Sequence, residues 1–174
     1  MADEYFCRHW ITGFHLHPSE GLKLLHTLVD DGKINFQDAT WRDNVQTACS
    51  GLLTGWDLDQ RSALQLQHIL PLLPQLPGLA PSIIKIVEAI LKQDIDARQN
   101  HRETATNAGW CLGSCLVALS RADGWTEVVN VDFWFKSCLD KYYWNAKVLQ
   151  GLVAIADLWY ARPSGVLDNS LTVR

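Results

Sequence analysis

The sequence predicts an all-α fold: a compact bundle or short stack of six to eight helices around a central apolar helix near residues 103–120. Three observations carry this. Apolar side chains recur three and four residues apart through most of the 174 residues, the period of a helix with one buried face. No segment holds a two-residue alternation, and only Trp10–His17 has an extended reading. Hydrophobic residues make up 48% of the chain, including eight Trp and five Phe, which is enough to fill one core. The length fits one domain over residues 1–174.

Residues 1–17 read as an aromatic-rich, irregular N-terminal arm. Ser19 is placed as the N-cap of a first helix, with Leu22, Leu25, Leu28 and Val29 on one face and Gly32 as its stop. Asp38 caps the next, in which Trp41, Val45, Ala48, Cys49 and Leu52 follow helical spacing and Gly55 ends the run. A third helix, starting near Asp57 or Asp59, carries Ala63, Leu66, Ile69 and Leu70. Pro71, Pro74, Pro77 and Pro81 then interrupt, because proline removes a backbone donor and clashes with the preceding turn. This Pro-rich break spans residues 71–81.

A fourth helix, from Pro81 or Ser82, uses Ile83, Ile86, Val87, Ile90 and Leu91 and fades over Gln93–Arg102. The fifth, Glu103–Ser120, has a stripe of Ala105, Ala108, Leu112, Cys115, Leu116 and Leu119, with Trp110 and Val117 on other faces. A helix apolar on most sides is buried among its neighbours, so this one is placed at the centre. Asp123-Gly124 makes a turn. Short helical pieces are expected over Trp125–Asn130 and Asp132–Lys141. A last helix is expected over Trp144–Arg162, with Val148, Leu152, Ile155, Ala156 and Trp159 in register. Pro163 stops it, and residues 164–174 are expected to be a mobile tail.

Composition narrows the function. Net charge is −4 and the 15 cations are dispersed, whereas a nucleic-acid binder needs clustered Lys and Arg to displace counterions. The longest apolar run, Ala108–Leu119, falls short of the roughly 20 residues of a membrane span. Cys7, Cys49, Cys111, Cys115 and Cys138 are odd in number, and three of them lie in helical apolar patterns. With no signal-peptide pattern at the start, this implies a reducing, cytoplasmic or nuclear setting, the host cytosol for a viral source.

Asn44–Leu53, Asn107–Leu116 and Asn145–Ala154 each set an Asn six or seven residues before a mid-helix glycine, at Gly51, Gly113 and Gly151. Glycine inside a helix costs about 1 kcal/mol relative to alanine, so these positions read as close helix–helix contacts. Gly78–Leu119, an Ile-rich helix, a polar turn and the small-residue helix AGWCLGSCLVAL, resembles one armadillo/HEAT-type unit. The resemblance implies a helical scaffold that binds protein or peptide on one face. Asn107-Ala108-Gly109 and Gly124-Trp125 are similar to two short motifs of Bcl-2-like bundles. The motif arginine is absent and the two pieces stand close together, so this resemblance supplies only an alternative architecture, one that implies a partner helix.

No catalytic signature is present: no Gly-rich phosphate loop, HExxH or GxSxG. Cys111 and Cys115, one turn apart in an apolar helix, read as core thiols rather than a redox pair. The two overlapping PxxP frames of residues 71–77 lack a flanking arginine, and their leucines read as a loop packed on the core. Cys7, His9, His15 and His17 are candidate zinc ligands, as soft sulfur and imidazole donors able to complete a tetrahedral site. Apart from zinc, no cofactor is implied.

Trp125, Phe133, Trp134, Phe135, Tyr142, Tyr143 and Trp144 crowd into twenty residues. Neighbours on a helix point about 100° apart, so Phe133, Trp134 and Phe135 cannot all be buried on one face. Some of these rings must be exposed, sit in an interface or lie under a second layer such as the N-terminal arm. The reading is a non-enzymatic protein-interaction module or adaptor, viral or host-regulatory, binding another protein or itself as a homodimer through this aromatic surface. The alternatives are an RNA-binding or nucleocapsid-like helical protein, a Bcl-2-like bundle and a metal-binding protein using the Cys/His arm.

Overall fold

Cys7, Trp10 and Phe14 stand at i, i+3 and i+7, and they form the buried face of a helix. This helix, α1 (Ala2–Leu16), replaces the irregular arm and the extended stretch expected at the N-terminus. The computed structural model describes residues 2–56, 60–93 and 102–160. The tail 164–174, the start of the third expected helix near Asp57 and the Ala105 and Trp159 side chains lie outside the described residues.

α2 (Pro18–Asp30) follows α1 with one residue between them. A residue before proline is pushed out of helical backbone, and His17 sits at φ −139°, ψ 76°. Pro18 opens α2 because the missing N–H would have had no helical partner there. The helix thus begins before Ser19, which is not its cap. Gly21 lets the two helices cross closely, since a Cβ there would lie 2.9 Å from Phe14 Cα. Trp10 Nε1 donates to the Gly21 carbonyl across the crossing at 3.0 Å.

α3 (Ala39–Thr54) is capped as its sequence indicates: Asp38 Oδ1 accepts from Thr40 N at 2.8 Å, and Gly55 follows the helix. α4 (Gln60–Ile69) leads into the proline break, which forms two 3-10 turns at Leu70–Leu72 and Pro77–Leu79. Leu70, Leu72, Leu73, Leu76 and Leu79 are buried, while Pro71, Pro74 and Pro77 are exposed. Each buried leucine contributes about 1.5–3 kcal/mol relative to exposure, so the break is held on the core by its side chains. α5 (Ala80–Lys92) buries Ile83, Ile86, Val87, Ile90 and Leu91.

α6 (Arg102–Leu119) is the central helix. It packs most extensively on α8 (Ala146–Tyr160) and also meets α4, α5 and the first 3-10 turn. Ala108, Leu112, Cys115, Leu116 and Leu119 are fully buried. The α6–α8 seam is close because both helices carry glycine there. A Cβ on Gly113 would stand 2.5 Å from the Lys147 carbonyl, and one on Gly151 would stand 2.7 Å from Leu116 Cβ. Gly51 behaves differently: a Cβ there meets nothing within 4 Å, so it marks no close contact. All five cysteines are free and buried, with burial raising the Cys111 thiol to about 11 and those of Cys49 and Cys138 to about 12.

Trp125–Asn130 forms turns rather than the expected helical piece. Asn130 then caps α7 (Val131–Tyr142), its side chain accepting from Phe133 N at 3.0 Å. α8 starts at Ala146 rather than Trp144 because Asn145 serves as its cap, Oδ1 accepting from Lys147 N at 3.0 Å and Val148 N at 3.1 Å. Lys141 ties α7 to α5, its Nζ donating to the Leu91 carbonyl at 2.6 Å. A cation at the C-terminal end of α5 suits the partial negative charge there. Among the described residues, no helix is long and apolar enough to cross a membrane.

Candidate interaction surface

The seven rings of residues 125–144 divide into two groups. Val131, Trp134, Cys138 and Tyr142 repeat at i, i+3, i+7 and i+11 and form the buried face of α7. Trp134 stacks on Trp125 with ring centroids 5.6 Å apart, and Trp125 Nε1 donates to the Leu119 carbonyl at 2.7 Å. These two rings and Tyr142 are core, which corrects their assignment to a binding surface. The buried Tyr142 hydroxyl has no hydrogen-bond partner among the described residues. Burial, with Cys138 adding, pushes it up to about 12.

The other four rings reach the surface. Phe135 is half-buried against the core. Phe133 is 58% exposed, Tyr143 65% and Trp144 42%. At about 100° per residue, Phe135, Leu139 and Tyr143 climb one flank of α7 as a strip, while Phe133 lies on the opposite flank. Leu139, also exposed, extends the surface beyond the rings that the sequence singled out. Its i+4 spacing from Phe135 and i−4 from Tyr143 was the available signal. Trp144 continues the strip into the turn before α8. The N-terminal segment does not cover these rings, since α1 packs against α2 and α3.

A second apolar surface follows from the N-terminal segment being helical rather than irregular. α1 and α2 enclose a groove of about 400 Å³, walled by Phe6, Trp10, Gly13 and Leu24. Phe6, Trp10 and Gly13 at i, i+4 and i+7 were the legible signal, and Tyr5 and Phe6 are both exposed there.

The four proposed zinc ligands do not converge. Helical geometry turns Cys7 into the core and leaves His9 exposed, its ring 4.3 Å from that of Tyr5. His15 is exposed with its ring 6.0 Å from that of Phe14, and His17 lies in the break before α2. Among the described residues, no three His, Cys, Asp or Glu side chains gather as metal ligands would. Among the described arginines, Arg8 pairs with Glu4 at 2.7 Å and Arg42 with Asp43 at 3.2 Å. No family model, curated protein or solved structure matches this chain.

Proposed function

We propose that the protein is a non-enzymatic interaction module, an adaptor acting in the cytoplasm or nucleus. It binds another protein, or a second copy of itself, through the strip of Phe135, Leu139, Tyr143 and Trp144. The exposure of this strip supports the reading: apolar side chains are set at one-turn intervals on a helix whose adjacent face, Val131, Trp134, Cys138 and Tyr142, is packed into the core. Aromatic residues presented on a rigid element are the usual anchors of protein interfaces. The armadillo/HEAT-type resemblance of Gly78–Leu119 points the same way, toward a scaffold with one binding face.

The α1–α2 groove offers a second surface, so the test separates the two. Wild type, Leu139→Ser/Tyr143→Ser and Phe6→Ser/Leu24→Ser are compared by affinity capture from native lysate and by sedimentation equilibrium. The reading expects a partner or a dimer that the α7 double variant loses and the α1–α2 variant keeps. The opposite pattern moves the interface to the groove. A monomer that captures nothing in any form overturns the proposal.

A further inference from the structure

Trp110 and Val117, left off the apolar stripe of α6, share a side of that helix with Ser114 and reach toward Arg121 in the turn beyond it. Together they form one wall of a groove of about 260 Å³. Leu70 and Pro71 of the proline break and Lys147 of α8 complete the lining. Three parts of the fold that are distant in sequence therefore meet here. The volume lies below the roughly 300–1,000 Å³ of drug-sized sites, which suits a small occupant.

The charges in the groove are of one sign. Its lining includes Arg121 and Lys147 and no carboxylate. Neither cation has an ion-pair partner among the described residues, unlike Arg8 and Arg42, each held by a neighbouring acid. Lys147 also stands in the first turn of α8, the partially positive end of that helix. Ser114 and Gln67 supply neutral hydrogen-bonding groups. An apolar lining that includes an indole, with two cations that have no ion-pair partner among the described residues, is complementary to a ring system carrying a negative head group.

We propose that this groove binds a small organic anion, an apolar ring bearing a carboxylate or a phosphate. The inference is independent of the interaction surface on α7. The test is isothermal titration of the full chain with naphthoate, naphthyl phosphate, naphthamide, naphthylmethylamine and inorganic phosphate. One of the two naphthyl anions is expected to bind about tenfold or more tightly than the neutral amide, with no binding of the amine. The tighter of the two assigns the head group. Arg121→Gln and Lys147→Gln should each weaken it by about tenfold, and Val117→Trp should abolish it by filling the groove. The charge variants alter exposed or half-buried side chains and decide the matter even if the tryptophan variant unfolds. Equal affinity for amide and anion, inorganic phosphate binding as tightly as its naphthyl ester, or binding untouched in the Arg121→Gln/Lys147→Gln double variant would each overturn the proposal. So would the absence of anion binding at millimolar concentration.

Discussion

The side chain of Asn145 occupies the space that a Cβ on Gly109 would fill. Its Oδ1 meanwhile accepts from the first N–H groups of α8, Lys147 and Val148. One amide thus seals the α6–α8 seam and caps the helix on its far side. Gly109→Ala displaces the Asn145 side chain, and with it the cap, and should destabilise by about 1–3 kcal/mol. Asn145→Ala removes the cap and should cost about 1 kcal/mol. Because the second change empties the space that the first one needs, the double variant should cost clearly less than the sum in urea denaturation. Strict additivity would show that the two residues do not share this space.

Gly51 and Gly113 look alike in the sequence and should respond oppositely to alanine. A Cβ at Gly51 enters open space, so the helix gains up to about 1 kcal/mol of propensity. One at Gly113 meets the Lys147 backbone, which cannot rotate away as a flexible side chain would, and α8 must shift. Thermal melts should rise for Gly51→Ala and fall for Gly113→Ala.

Tyr142 keeps a hydroxyl in the core with no hydrogen-bond partner among the described residues. A buried polar group without a partner costs about 1–3 kcal/mol. Tyr142→Phe should therefore raise stability or leave it unchanged while keeping the ring packing. A loss comparable to that of a truncated aromatic would mean that the hydroxyl has a partner in solution.

Stability should also fall on mild acidification. His68 is held below its ordinary value of 6.5, first by burial and then by the neighbouring His26 and Lys23. Its ring centroid lies 5.9 Å from that of His26, whose Nε2–H donates to the His68 carbonyl at 2.6 Å. A depressed value means that the unfolded chain binds the proton more readily than the folded one. The effect on stability is thus absent above about pH 6.5 and grows as pH drops through and below it. Urea midpoints of wild type and His68→Gln between neutral and mildly acid pH check this, the variant being expected to show the shallower decline.

Several elements were legible because their signals are local. Asp38 and Gly55 bracket α3, and Ile83 to Leu91 mark α5 by spacing alone. The signal of α1 is weak for a local reason as well: among the described residues its fully buried stripe is Cys7, Trp10 and Phe14, and His9, His15 and His17 in the same stretch suit metal ligation equally. On α7 the crowding of rings was visible, and so was the need for some to be exposed. Which ones are exposed depends on the rotation of the helix about its axis, set by Val131 and Cys138 as much as by the aromatics.

By itself, the sequence determined that the chain folds into helices, where the proline break falls, and that α6 lies at the centre. Period, caps and breakers act within a turn or two of the chain. Only the tertiary structure decided that Trp125, Trp134 and Tyr142 are core while Tyr143 and Trp144 reach solvent, that Gly113 is essential spacing while Gly51 is not, and that Arg121 and Lys147 line one groove. Each of these depends on what a neighbouring helix presents at a given depth and rotation, a relation between residues that the chain brings together only on folding.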